Sequence, residues 1–222
     1  MLPPAAIDQL FARLAAAAPD ATRRPAKAAR EPFRSLVAVM LSAQSRDANT
    51  EAAAQALFAL AATPEAILEL PEATIARAIR PCGLYRLKAR NLHAMCRALL
   101  DRFGGRVPAT RAELMSLPGV GRKSADIMLR FVHGEPVVAV DTHVARVSRR
   151  LGLAQGRSEA QLAAALEPRI PRRWRMGAHL WLLEHGKAWC KPRRPRCDAC
   201  PLGDLCERHG VADRQQGNMN DR

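Results

Sequence analysis

No run of about eighteen apolar residues occurs in the 222-residue chain, so no segment is long enough to span a bilayer as a helix. The nearest imitation of a secretory core, Leu10 to Ala18, has no basic stretch before it. It follows Asp8 and is interrupted by Arg13, which excludes a signal peptide. Strand signals are equally scarce. Only Pro136-Val137-Val138-Ala139-Val140 is β-like, and it is too short and isolated to make a sheet. No fixed-period repeat is present, so a solenoid is excluded. Apolar residues at 48% and charged residues at 25% are ordinary globular levels, which excludes wholesale disorder. A cytoplasmic location is expected, and in that reducing compartment six cysteines do not form a disulfide framework.

Acidic residues are also in deficit: 21 Asp and Glu stand against 35 Lys and Arg, leaving a formal charge of +14. Most of the excess is arginine, whose planar fork matches phosphate oxygens. A GC-rich genome accounts for arginine in place of lysine but not for the surplus of positive charge. A polyanionic partner follows, nucleic acid first.

What is abundant is helical periodicity. Ile7, Leu10, Phe11 and Leu14 fall on one helical face. Similar stripes run through Phe33 to Leu41, Ala52 to Leu60, Leu87 to Phe103, Leu162 to Ile170 and Trp174 to Leu183. Prolines and glycines separate them, as at Pro64, Pro71, Pro81-Cys82-Gly83, Gly104-Gly105, Gly134-Glu135-Pro136 and Gly152. The chain reads as all-α, with ten or so short helices. Composition changes at the basic, loop-like stretch Arg23 to Arg30. It changes again from Lys191, where Cys, Pro and Arg accumulate before a polar tail (211–222).

Four of the six cysteines, Cys190, Cys197, Cys200 and Cys206, fall within seventeen residues in the pattern C-x6-C-x2-C-x5-C. Four thiolates converging on one point suit a tetrahedral zinc ion or a [4Fe–4S] cluster. Structural zinc commonly takes two short knuckles, and only one close pair is present. The wider gaps therefore favour the cluster without deciding the matter. Four of the six residues between Cys190 and Cys197 are cationic: Lys191, Arg193, Arg194 and Arg196. They offset the negative charge of a thiolate-ligated cluster and form a basic finger suited to a phosphate backbone. A solvated charge run is the plainer alternative. Cys82 and Cys96 lie in helical context and read as small core residues.

Leu117-Pro118-Gly119-Val120-Gly121-Arg122-Lys123-Ser124-Ala125 separates a short helix, Arg111 to Ser116, from another, Arg122 to Val132. The alternating Gly119 and Gly121 let the backbone turn tightly, so its N–H groups can approach a ligand at a helix N-terminus. This is a helix–hairpin–helix element, a sequence-independent grip on the DNA backbone. Position leaves two roles open for Lys123. The helix dipole and the like charge of Arg122 favour a neutral, nucleophilic amine, whereas a charged lysine there would bind phosphate. Asp141, opening Asp141-Thr142-His143-Val144-Ala145-Arg146-Val147, is first of all a helix N-cap. No Glu or Gln follows three residues later, so a full capping box is absent.

Together, LPGVGRKSA, VDTHVARV eighteen residues after the lysine, the four-cysteine pattern, Leu41-Ser42-Ala43-Gln44 and Gly83-Leu84-Tyr85 resemble the endonuclease III family. The resemblance spans roughly Arg30 to Glu207. It implies two helical lobes with a DNA groove between them. One is a six-helix barrel holding the hairpin (23–133), and the other is a discontinuous [4Fe–4S] cluster domain (1–22 with 134–210). It further implies a monomeric base excision repair enzyme at the nucleoid, a bifunctional glycosylase and lyase acting on double-stranded DNA with oxidised pyrimidines or abasic sites. Lys123 would be the Schiff-base nucleophile, and Asp141, facing it across the groove, would stabilise charge on the sugar. Gln44, Leu84 and His143 would fill the hole left by an extruded nucleotide or contact the opposed base. By itself Leu84 reads as core. The family usually has Thr-Asp where Arg46-Asp47 stands, a departure beside the opposite-strand contact. Two rivals are a monofunctional glycosylase of the same superfamily and a DNA-binding module with structural zinc. The presence of Lys123 with Asp141 argues against both.

Overall fold

The computed structural model describes residues 1–22 and 31–211. The basic stretch Arg23 to Arg30 and the polar tail beyond Val211 lie outside the described residues. No strand occurs among the described residues, and no helix among them is long and apolar enough to cross a membrane. Val138, Ala139 and Val140, the β-like run, are buried in irregular backbone. The chain divides into two compact units, Met1–Arg23 with Val140–Arg222, and Arg24–Ala139.

The continuous unit holds α2 (Pro32–Ser42), α3 (Asp47–Leu60), α4 (Pro64–Glu69), α5 (Glu72–Ala78), α6 (Tyr85–Phe103), α7 (Arg111–Met115) and α8 (Arg122–Met128). Prolines at the first turn start α2 and α4, where the missing N–H is not needed. Thr63 and Thr110 cap α4 and α7 by accepting the amides of Ala66 and Glu113. The long α6 packs against α2, α4 and α5. Its stripe Ala89, Leu92, Cys96 and Leu99 is fully buried with Leu36, Val37 and Leu41 of α2 and Leu57 of α3 in one core. Cys82 and Cys96 are buried in that core, as their helical context implied. Burial pushes the Cys96 thiol up to about 12, so it stays neutral. The second helix of the predicted hairpin stops being α-helical at Met128 and continues as a π turn, Leu129–His133.

The discontinuous unit is built from α1 (Pro4–Ala17), α9 (Thr142–Leu151), α10 (Glu159–Leu166) and α11 (Arg172–Ala188). The predicted helix to Ile170 ends instead at Leu166, followed by a 3₁₀ turn over Glu167–Arg169. Pro168 cannot supply the amide that would continue the α-helix. Ser158 and Gln161 form a reciprocal capping box on α10. The buried face of α1 (Ile7, Leu10, Phe11, Leu14) meets α11, with Phe11 and Trp181 rings 6.3 Å apart. Trp181 also donates its indole N–H to the Ala18 carbonyl at 2.7 Å, and Arg13 grips Asp204 with two hydrogen bonds of 2.7 and 2.8 Å. The first helix is thereby tied to the cysteine-bearing segment near the other end of the chain.

Candidate functional site

In the continuous unit, Leu117 and Val120 are buried and pin the ends of the hairpin turn, which is closed by Val120 N–H donating to the Leu117 carbonyl. The two glycines differ in what they do. Gly119 has φ +80°, and a Cβ there would stand 3.0 Å from Asn91 Cβ. Gly121 is the extended N-cap of α8, with nothing within 4 Å of where its Cβ would be. The space that a side chain at Gly121 would enter is therefore open.

Lys123 and Arg122 occupy the first turn of α8, both half-buried. The like charge expected from Arg122 is compensated. Its Nε pairs with Asp126 Oδ2 at 2.9 Å, while Arg111 Nε holds Oδ1 of the same carboxylate at 2.6 Å. Asp126 is completely buried. The sequence reading missed this carboxylate, although its i, i+4 spacing from Arg122 was a usable signal.

Gln44 and Leu84 are brought together. Gln44 lies in the turn after α2, and Leu84 is the residue before α6. Both have left-handed backbones, with φ of 52° and 56°. Leu84 is 55% exposed, which overturns its reading as a core residue. A Cβ on Gly83 would come within 2.7 Å of the Gln44 carbonyl, so only glycine allows these turns to approach so closely. Arg46 is exposed and is the N-cap residue of α3 without a side-chain cap bond.

In the discontinuous unit, Asp141 caps α9 by accepting the Val144 amide at 2.8 Å, with no capping box. His143 follows on the same helix. Its Nδ1 lies 3.2 Å from Arg146 Nη2, and Arg146 also donates to the carbonyls of Cys190 (2.9 Å) and Gly186 (3.0 Å). One turn on, Arg150 donates to the carbonyls of Lys191 and Pro192 at 2.7 and 3.1 Å and reaches Cys190 Sγ at 3.4 Å. These arginines fix the start of the basic loop, leaving Lys191, Arg193, Arg194 and Arg196 exposed. Arg194 has φ 52°.

Cys190, Cys197, Cys200 and Cys206 line one pocket, together with His185, Trp189 and Arg150. No three His, Cys, Asp or Glu side chains among the described residues are grouped to hold a single metal ion. Four cysteine thiols lining one pocket are the donor set that a [4Fe–4S] cluster takes. Burial pushes the Cys200 and Cys206 thiols up, and the neighbouring cysteines push them further. Ligation by cationic iron removes that obstacle, because a coordinating thiol is deprotonated outright. His185 Nε2 lies 3.6 Å from Cys200 Sγ, and burial lowers this imidazole to about 4, so it is neutral.

Residues 37–172 match the HhH-GPD superfamily of base excision DNA repair proteins. Residues 190–206 match the iron–sulfur binding domain of endonuclease III. The chain is 45% identical over 175 residues to endonuclease III of Rickettsia felis, covering 79% of this chain and 82% of that protein. To endonuclease III of Escherichia coli K12 it is 43% identical over 176 residues, with coverage of 79% and 83%. A solved structure of a trapped endonuclease III–DNA covalent intermediate, in an estranged-adenine complex, superposes with a TM-score of 0.84 at 38% identity. That match covers 94% of this chain and 97% of the other. The chain belongs to the endonuclease III family, within the helix–hairpin–helix base excision repair superfamily. It is a DNA-binding glycosylase and abasic-site lyase, and it carries a [4Fe–4S] cluster.

Proposed function

We propose that this enzyme, acting as a monomer at the nucleoid, removes oxidised pyrimidines from double-stranded DNA and cuts the resulting abasic strand. Lys123 is the nucleophile and Asp141 the charge-stabilising carboxylate. The observation that carries this reading is Lys123 in the first turn of α8, directly behind a hairpin whose Gly121 side is open. A trapped covalent DNA complex of a relative with 38% identity supports it.

The Lys123 amine attacks C1′ of an extruded nucleotide. The C1′–N bond to the base breaks, the C1′–O4′ bond opens, and an iminium remains between lysine and sugar. Loss of the C2′ proton then expels the 3′ phosphate by breaking C3′–O, and water later releases the lysine. Asp141 has Oδ1 engaged by the Val144 amide. Its other oxygen stabilises positive charge developing on the sugar and relays a proton. Gln44, Leu84 and His143 occupy the gap in the base stack or meet the opposed base. Leu84 suits this, being a large apolar side chain held out in solvent. The Gly119–Gly121 hairpin, Arg122 and the cations of the 191–196 loop grip phosphates. The cluster, when bound, supplies four iron–thiolate bonds that tie the 190–206 segment together. Arg150 holds the start of the basic loop against that segment. The barrel role falls to residues 23–133 and the cluster role to 1–22 with 134–210.

The test is borohydride trapping on duplexes carrying thymine glycol or an abasic site. A covalent adduct with the cluster-loaded wild type that disappears in Lys123→Ala is expected. No adduct from cluster-loaded wild type overturns the assignment.

A further inference from the structure

Lys88 is a lysine 6% exposed, on the buried face of α6. Its ammonium donates to the Leu41 carbonyl and to Ser45 Oγ, both at 2.8 Å. Ser45 Oγ in turn accepts the Gly83 amide at 3.1 Å, and the Lys88 amide donates to the Leu84 carbonyl at 2.9 Å. The first three of these bonds join the Gln44 turn to α6 and to the Leu84 turn, and the last is the opening bond of α6 itself. Both of those residues are in left-handed backbone that non-glycine side chains rarely adopt. Such a conformation persists only where surrounding bonds over-determine it, and Lys88 with Ser45 provides them.

We propose that Lys88 and Ser45 are positioning residues that lock the Gln44 and Leu84 turns into one rigid wedge, so that both side chains enter the duplex at a fixed spacing. The proposal rests on the reading that Gln44 and Leu84 fill the gap. Burial lowers the affinity of Lys88 for its proton, and even the neutral amine keeps the two N–H donors that these two acceptors require. A wedge preorganised in this way spends no binding energy on ordering its two turns when DNA arrives. It matters only where there is a base stack to enter, which separates it from a general structural role.

The readout is the ratio of cleavage on duplex abasic DNA to cleavage on the same abasic site in a single strand. Ser45→Ala is expected to lower this ratio about tenfold, the effect of one lost hydrogen bond, and to flatten discrimination among opposed bases. Ser45→Thr, which keeps the hydroxyl, is expected to restore both. Lys88→Met is expected to match Ser45→Ala, with thermal melting used to confirm that it folds. The control is the double variant Gln44→Ala with Leu84→Ala. If that variant lowers the ratio but Ser45→Ala does not, the locking proposal is overturned. If the double variant leaves the ratio unchanged, the gap-filling reading fails and the proposal fails with it.

Discussion

Arg122 and Asp126 form an ion pair one helical turn apart, 2.9 Å from Nε to Oδ2, with the carboxylate sealed from solvent. Arg111 closes the other side of the same carboxylate. Removing Asp126 would take from two partly buried guanidiniums the carboxylate they share. Asp126→Ala is expected to destabilise the enzyme by about 2–4 kcal/mol, because breaking a buried pair costs more than the pair contributes. Urea unfolding of the cluster-loaded protein measures this. A loss below about 0.5 kcal/mol would mean that the arginines find water instead.

The hairpin glycines should separate stability from DNA affinity. Gly119→Ala places a Cβ on a left-handed backbone against Asn91 and should cost about 1–2 kcal/mol. Gly121→Ala meets no neighbour and has an ordinary backbone, so stability should stay within about 0.5 kcal/mol. On the proposed phosphate role, the added methyl narrows the open space beside the α8 amides. Binding to an undamaged duplex should therefore weaken at Gly121→Ala, and equal affinity with wild type would contradict the phosphate role.

Asp141 combines a cap with a charge, and two substitutions divide them. Asparagine caps as well as aspartate, so Asp141→Asn should keep the thermal midpoint while cutting base excision by about a hundredfold or more. Asp141→Ala should lose the same activity and about 1 kcal/mol of stability besides. If Asp141→Asn retained full excision rates on thymine glycol, the carboxylate would be only a cap.

Acid should loosen the join between α1 and the cysteine segment. The Arg13 hydrogen bonds hold the Asp204 carboxyl below its ordinary value. The unfolded chain then binds a proton more readily than the folded one. The contribution of the pair is fully present above the ordinary carboxylate range and is lost as pH falls through the lowered value. Melting wild type and Asp204→Asn side by side should show a gap at neutral pH that shrinks toward zero in strong acid. A constant gap would show that the carboxylate's charge plays no part.

Much of this was readable in one dimension because the chemistry involved is local. Helical stripes repeat every three or four residues, the hairpin is nine consecutive residues, and the cysteine spacing is contained in seventeen. Asp141 could be assigned as a cap for the same reason, since its partner is the amide three residues on. Contacts between remote segments were not readable. Lys88 meets Ser45 across 43 residues, and Arg150 meets Lys191 across 41. Lys88 did leave a trace, a charged residue on the apolar face of α6 one turn before Leu92. Leu84 misleads because hydrophobicity reports what can be buried, not whether the backbone turns it outward.

The joining of α1 to α11 and to Asp204 has a further consequence, for the order in which the protein is made. The ribosome finishes residues 24–139, which form a unit of their own, while α1 still waits for partners more than a hundred and fifty residues downstream. The apolar face of Ile7, Leu10, Phe11 and Leu14 is therefore uncovered until α11 has been made. A cluster with all four thiolate ligands can be completed only after Cys206 emerges. A nascent chain stalled before Arg172, and so lacking α11, should accordingly be a better chaperone client than one carried through Cys206.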